Sequence, residues 1–532
     1  MRIAGTEQTR AELGTVRPDL IGAYDGALPR ARAEILARLL GALDREPLPG
    51  AARVRYPAAA AVPFAQVRAG LSASVDGEQV SDPVVLVERL GWADGFRAEI
   101  GNSVANLALA YAHPPVPSPG AFVSPGFSAG GSVDSPGGSV ESPGVFVAAG
   151  GRPGAAPGAG LAFGGRLADF EQLVVDGHPL HPGCRTRAGL DVAGVLAYAP
   201  EHRPVLRLVR IAVPPQRWHG DGPPVLLAHP WQAQRILAEH PWLRAAGHTG
   251  PVRPLMSLRT VDTGAGHVKT AVDVQMTSAV RTVSPAALHN GPVLSALLAR
   301  LTADLPVTVL AEHGAGAVLI GGRPDRRLAH LHRAAPRLAP GEVVLPLAAL
   351  AAADPGDGRA LLHHAAADPY AWWEQLTAVL VPPMLRLLER GVALEAHGQN
   401  TLVVLRGGRP VRIVYRDFGG VRVSAARLRA AGIDAPPLAG DLPSDDPDVL
   451  RTKLAAALFG TVCGQLTAVL QRGGADPAKL WAVTARAVAA TGTADARALL
   501  TAPLPVKATT AMRLATDPLD DLWASLDNPM DA

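Results

Sequence analysis

His397-Gly398-Gln399-Asn400, followed further along by Arg416-Asp417-Phe418-Gly419-Gly420, gathers an imidazole, two carboxamides, a carboxylate and a guanidinium. Carboxylate oxygens are hard donors suited to Mg²⁺, and the other groups hydrogen-bond phosphates and base edges, so the set is equipped to handle a metal-bound nucleotide. The letters between them say how the set is assembled. Thr401 to Leu405 is a β-branched, apolar run, Arg406 to Pro410 is turn chemistry, and Val411 to Tyr415 is a second alternating run, which predicts a hairpin. Leu405 opposite Val411 sets Thr401 opposite Tyr415, and that register brings His397 and Asn400 beside Asp417.

A second group is cationic: Ser257-Leu258-Arg259, then Lys269, then Thr277-Ser278-Ala279-Val280-Arg281-Thr282. The turn Asp262 to Gly266 joins the runs Leu255 to Val261 and His267 to Met276, and one register sets Arg259 across from Lys269. Facing cations repel unless an anion lies between them, and a polyphosphate is such an anion. A straight strand would separate Lys269 from Thr277 by about 26 Å at ~3.3 Å per residue, so one ligand reaches both only if the strand bends or the ligand is elongated.

Asp176-Gly177-His178-Pro179-Leu180-His181-Pro182-Gly183-Cys184-Arg185-Thr186-Arg187-Ala188-Gly189 forms a third group. Its prolines oppose a helical histidine pair, and no thiolate or carboxylate is spaced to complete a zinc site. A Gly/Pro-built loop carrying His178, His181, Arg185 and Arg187 is better suited to gripping phosphate oxygens. His229-Pro230-Trp231-Gln232 reads as a helix entry, with proline in the first turn and Trp231 packed in the core.

These groups need a scaffold, and 532 residues are enough for two or three domains with ample core. Fifty Lys plus Arg against 47 Asp plus Glu give no general reason to expect a nucleic-acid or membrane partner. Cys184 and Cys463 cannot build a disulfide framework or a metal cluster. Met1 to Glu12 lacks the pattern of a secretory signal, and no run of 18 apolar residues predicts a membrane span, so the expected compartment is the cytoplasm.

Helical spacing covers 28–46 and 84–112, giving a mostly helical first part over 1–113. Residues 114–160 are Pro/Gly/Ser-rich, with Ser-Pro-Gly at 118, 124, 135 and 142, and are expected to be a disordered insertion. Short alternating runs at 173–175, 205–213, 225–228, 255–261 and 267–276 predict an antiparallel sheet, within a β-rich part at 161–350. The part at 351–532 mixes helices, among them 372–390 and most of 448–515, with the hairpin. The fold class is α+β in three parts.

Together the segments resemble the IucA/IucC family, the NRPS-independent siderophore synthetases. The family's Gly-His-Pro-x-His-Pro-x-x-Lys-x-Arg-x-Gly loop is matched by Gly177 to Gly189 with Arg185 in place of the lysine, and His-Pro-Trp-Gln by 229–232. Its Ser-x-Arg, Lys and Thr-Ser-x-x-Arg-Thr are matched by Ser257, Arg259, Lys269 and Thr277 to Thr282. Its Glu-x-His-x-Gln-Asn and later Arg-Asp are matched by Glu395 to Asn400 and Arg416-Asp417. Weaker echoes are Glu99, Ser103 and Asn106 near the start, and Met512-Arg513-Leu514 and Asn528-Pro529 near the end.

The resemblance implies a cupped hand of helical thumb, antiparallel β fingers and mixed α/β palm, acting as a homodimer. It implies an AMP-forming ligase that uses ATP and Mg²⁺ to adenylate citrate or a related carboxylate, then passes the acyl group to an amine, hydroxylamine or alcohol. It assigns the phosphates to Ser257, Arg259, Lys269 and Arg281 with His178 or His181, and the nucleotide to Gln399 and Asn400. The carboxylate goes to Thr277, Arg281 and His397, Mg²⁺ to Asp417 and Glu395, and the catalytic set is Lys269, Arg281 and His397. The rival class is a kinase-like phosphotransferase, since Asp417-Phe418-Gly419 spells DFG. That reading lacks the catalytic-loop aspartate and the Gly-rich strand-turn that kinases need. A non-catalytic binder of nucleotide or siderophore is the remaining alternative.

Overall fold

The computed structural model describes residues 3–57, 70–113, 122–123, 162–163, 165–517 and 520–531. The expected disordered insertion at 114–160 lies outside the described residues, apart from Phe122–Val123, which pairs antiparallel with Ala162–Phe163.

The N-terminal part is built on two helices, Ile21–Arg45 and Asp94–Ala112, that bury Tyr24, Leu36, Leu39 and Leu40 against Ile100, Val104 and Leu107. The helical run expected at 84–112 is divided: a short helix, Pro83–Arg89, starts at an Asp82 N-cap followed by proline, and a second begins at Asp94. Three short strands at Val54–Arg55, Ala73–Val75 and Glu78–Val80 join this part, which the helical periodicity did not reveal. Cys184, Leu190, Leu258, Val272 and Val274 from later in the chain complete its core.

The β-rich part centres on a six-stranded antiparallel sheet. Its order is Arg253–Pro254, Thr260–Asp262, Gly266–Thr270, Arg323–Ala334, Glu312–Ile320, Trp218–His219. The run expected as one strand at 267–276 is two: the chain leaves this sheet after Thr270 and enters another as Val272–Met276, paired with Ala279–Arg281 and with Arg187–Ala188. The strand expected at 173–175 is absent, and that segment follows the helix Leu167–Glu171 as a turn.

The C-terminal part packs the helix Pro369–Glu389 on a four-stranded mixed sheet ordered Val307–Val309, Arg409–Tyr415, Thr401–Arg406, Glu342–Pro346. Trp373, Leu376, Leu380 and Leu388 of that helix share one core with Val403, Ile413 and Tyr415 of the hairpin. The helical region 448–515 is interrupted by a strand, Leu504–Lys507, that pairs with Trp523–Leu526. One described helical stretch, Pro447–Arg472, is long and apolar enough to cross a membrane by length and composition, against the expectation of none, and 72% of its apolar window is buried inside the protein. Cys184 and Cys463 are buried and free.

Candidate functional site

The hairpin forms as its letters require, with Thr401 opposite Tyr415. Its far end differs: a bulge after Val404 pairs Leu405 with Pro410 rather than Val411, because Gly407 and Gly408 both take left-handed conformations and tighten the turn. At the open end, Asn400 and Thr401 both donate their backbone N–H to the His397 carbonyl, turning the chain tightly. Arg416 locks that turn by donating to the Gln399 carbonyl at 2.9 Å and to Glu171 at 2.7 Å. Gly398 has no room for a side chain, since a Cβ there would lie 2.9 Å from the Ala348 nitrogen. His397, Gln399, Asn400 and Asp417 thus face one cavity of about 750 Å³, within the usual size of a small-molecule site.

The cationic strand lines the same cavity. Thr260 rather than Arg259 is the register partner of Lys269, and Arg259 sits one step beyond, its carbonyl accepting from Thr270. The expected anion between cations is supplied by the protein itself: Lys269 Nζ donates to both oxygens of Asp417, at 2.9 and 2.7 Å, and Arg333 reaches the same carboxylate at 3.2 Å. Arg333 is held in turn by Glu312 at 2.8 Å. Burial pushes the Asp417 carboxyl up, but Lys269 and Arg333 outweigh it and keep the group ionised well below the usual carboxylate range. Asp417 also has a left-handed backbone (φ 71°), uncommon for a residue other than glycine.

The sheet change at Ala271 resolves the distance problem between Lys269 and Thr277, since both line this cavity. Thr277, also left-handed at φ 58°, forms with Ser278 the turn between Val272–Met276 and Ala279–Arg281. The Arg281 guanidinium donates to the Met276 carbonyl at 2.9 Å, and burial among other cations draws it down to about 10. Arg259 donates to the Thr282 carbonyl. Ser257 lines the same wall.

The histidine loop is stitched onto this turn. Gly183 N–H donates to His181 Nδ1 at 2.8 Å, which fixes the proton of the neutral ring on Nε2, facing Ser278 Oγ at 2.7 Å. Burial, with His397 nearby, pushes His178 down to about 3, and burial likewise holds His181 well below its ordinary value, so both rings are neutral at pH 7. The two arginines have a partner that the sequence did not reveal. Arg185 and Arg187 line the cavity but are each 3.1 Å from Glu201, and all three are buried, so their charge is already paired and they also hold the loop. Burial raises the Glu201 carboxyl, but the two arginines overcome it and draw it to about 2.

The weaker echoes anchor this loop. Ser103 Oγ donates to the Pro182 carbonyl and accepts from Arg185 N–H, and Asn106 donates to the Arg185 carbonyl. Arg513 pairs with Glu99 and donates to the Ser278 carbonyl at 3.1 Å. Asn528 closes the helix Ala496–Thr501 by donating to Leu499, Leu500 and Ala502 carbonyls. His229 is fully buried as the N-cap of Pro230–Glu239, and Trp231 packs on the N-terminal core away from the cavity, with Arg235 stacked on its ring at 4.2 Å.

Sequence reasoning missed Arg333, Glu312, Lys453, Lys507 and Asp521. A signal existed for Lys453, a lone cation at the start of the apolar run to Leu470, where burial demands a partner. It has Glu395 and Asp521, each at 3.1 Å. Asp417 and Glu395, the carboxylates expected to hold Mg²⁺, both face the cavity, and each is neutralised by a lysine. One or two carboxylates beside a phosphate-binding wall are the donor set Mg²⁺ uses when phosphate oxygens and water complete its shell, so the residues fit the ion.

Two family models match the chain: IucA / IucC family at residues 166–224 and 220–352, and Ferric iron reductase FhuF-like transporter at 370–518. The chain is 25% identical over 354 residues to the staphyloferrin A synthase of Staphylococcus aureus, covering 56% of this chain but only 60% of that protein. It is similar in structure to the petrobactin biosynthesis protein AsbB of Bacillus anthracis, with TM-score 0.74, 16% identity and 97% of each chain covered. It is also similar to the ATP-bound aerobactin synthetase IucA from a hypervirulent pathotype of Klebsiella pneumoniae, with TM-score 0.59, 22% identity, and 69% and 77% of the two chains covered. The AsbB likeness runs through nearly the whole α+β fold, and the IucA / IucC match spans the histidine loop and the cationic strands. The chain is thus similar to the IucA / IucC family over residues 166–352 and shares the fold of the solved synthetases.

Proposed function

We propose that the chain is an ATP-dependent, AMP-forming synthetase that activates a citrate-like polycarboxylate as its acyl adenylate and joins it to an amine, hydroxylamine or alcohol in siderophore assembly. The observation that carries this reading is the convergence of Lys269, Arg259 and Arg281 with His397, Gln399, Asn400 and Asp417 on one cavity. A carboxylate attacking a triphosphate must overcome like-charge repulsion, and preorganised buried cations lower that barrier without reorganising.

In this assignment Ser257, Arg259, Lys269 and Arg281 hold the phosphates, with His178 and His181 at the polyphosphate end. Gln399 and Asn400 face the nucleotide, and Thr277, Arg281 and His397 orient the carboxylate. His397 suits that role as a neutral ring, because burial lowers its proton affinity despite Glu395 and Asp417 nearby. A carboxylate oxygen bonds to the α-phosphorus as the bond to the β-phosphate oxygen breaks, releasing pyrophosphate. The nucleophile's nitrogen or oxygen then bonds to the acyl carbon, and AMP leaves with the carboxylate oxygen. Alignment of the reacting groups supplies much of the acceleration. Bound Mg²⁺, held by Asp417 and Glu395, would screen phosphate charge.

On this reading 1–113 is the thumb, 161–350 the fingers and 351–532 the palm, supported by Lys269 and His397 reaching the cavity from the latter two ranges. A cytoplasmic location, where ATP is supplied, and a homodimer on sedimentation are the expectations of this reading. A ferric reductase reading finds less support, since two buried, separate cysteines offer no four-thiolate cluster set. Product analysis tests the proposal: ATP with an accepted carboxylate and amine yields AMP and pyrophosphate, whereas ADP sinks it in favour of phosphotransfer.

A further inference from the structure

The palm side of the cavity holds a second charge cluster, formed by Lys453, Lys507, Arg422 and Asp521. Lys453 sits on the helix Pro447–Ala455 and is buried, while Lys507 ends the strand Leu504–Lys507. The Asp521 carboxylate lies between them, one oxygen 2.7 Å from Lys507 Nζ and the other 3.1 Å from Lys453 Nζ, with Arg422 at 3.9 Å. This is the arrangement a bound carboxylate would adopt, supplied here from the protein's own tail.

The tail is anchored beyond Asp521, by buried Ala524 and Met530 and by Asn528, while Asp521 itself lies ahead of these anchors. Asp521 precedes the strand Trp523–Leu526, which pairs with Leu504–Lys507 in a two-stranded ribbon, and it lies outside that paired segment. Its side chain is 25% exposed, against 6% for Lys453, so Asp521 lies on the solvent side of a buried cation. Moving it away leaves Lys453 still paired with Glu395 but opens the Lys507 and Asp521 oxygen positions to another anion.

We propose that Asp521 is a tethered competitor in the carboxylate site, and that a substrate with more than one carboxylate docks its distal one by displacing Asp521 from Lys507 and Lys453. The substrate class rests on the adenylation reading, while the displacement rests on the geometry above. A tethered anion at high effective concentration raises the substrate concentration needed for occupancy, and it discriminates against acids with no second carboxylate to offer.

Calorimetric titration without ATP tests this, with citrate as the tricarboxylate probe and lactate as the monocarboxylate. Asp521→Asn is expected to bind citrate about tenfold tighter than the unmodified protein, with lactate binding unchanged. Lys507→Met added to Asp521→Asn is expected to cancel the gain. Equal or weaker citrate binding by Asp521→Asn, or an equal gain for lactate, overturns the proposal. A second readout needs no change at Asp521: Trp523, whose ring lies 5.9 Å from Lys453 Nζ, should change its emission on citrate addition and not on lactate, and the change should vanish in Trp523→Phe. No citrate-dependent change also overturns it. Pyrophosphate release by the unmodified protein is measured alongside: its absence with every polycarboxylate contradicts the adenylation reading and leaves the displacement result to stand alone.

Discussion

Two clusters on one cavity each set a carboxylate between two cations, and they differ in how far the cations are tied to the backbone. Lys269 and Arg333 flank Asp417, and Arg185 and Arg187 flank Glu201. In the second, the guanidiniums also donate to the backbone carbonyls of Val174, Val175 and Thr186, so their donors, Arg187 Nε apart, are spent inside the fold. In the first, both hydrogen bonds of Lys269 go to a single carboxylate whose backbone is itself left-handed. A cation saturated by backbone is structural, whereas a cation whose only partner is one side chain at a cavity wall can exchange that partner for a ligand.

The largest effect comes from acid, which strikes both regions. Burial depresses His178, beside the cavity, to about 3, and His202, beside Glu201, to about 4. His229 and His330 are likewise held at about 3. Each imidazole takes a proton more readily unfolded than folded, so stability is full above pH 6.5 and falls as pH drops toward these values. The slope is on the order of 1 kcal/mol per histidine per pH unit below 6.5. Thermal melts at pH 7 and 5 should differ by many degrees, and equal melting points would contradict the buried neutral rings.

Breaking each cluster separates the regions. Glu201→Ala strands two buried guanidiniums and should cost about 3–5 kcal/mol in urea unfolding, with activity lost only through unfolding. Lys269→Ala should leave the melt nearly intact, because Arg333 still pairs with Asp417, while carboxylate-dependent pyrophosphate release falls at least about 100-fold. The reverse pattern would erase the distinction between the clusters. The smallest effect is expected from deleting Val116 to Ala156, a Pro/Gly/Ser-rich stretch that precedes the matched residues in sequence, with pyrophosphate release kept within about twofold.

The hairpin was legible because a period of two, bounded by turn residues, fixes both strands and their open end. Its bulge was not, since two left-handed glycines shift the register without altering the hydrophobic pattern. The cationic strand was legible in composition but not in path: nothing in Thr270-Ala271-Val272 announces that the chain leaves one sheet for another. The Lys269 and Asp417 pairing joins residues 148 apart, and such contacts leave no local trace. Arg185 and Arg187 read as phosphate ligands because a Gly/Pro loop conceals which way its side chains point, and Glu201 sits beyond the motif on a separate turn. The family resemblance brought the site residues together in advance, yet the cations they need as neighbours, Arg333 and Lys453, came only from the fold.

Oxygen tracing tests the central claim most directly. A substrate carboxylate labelled with ¹⁸O is incubated with ATP and an amine nucleophile, and the nucleotide product is weighed by mass spectrometry. Attack on the α-phosphorus predicts one labelled oxygen in the phosphate of AMP, lost together with turnover in Lys269→Ala. Unlabelled AMP, or label appearing in inorganic phosphate beside ADP, would contradict the adenylation account.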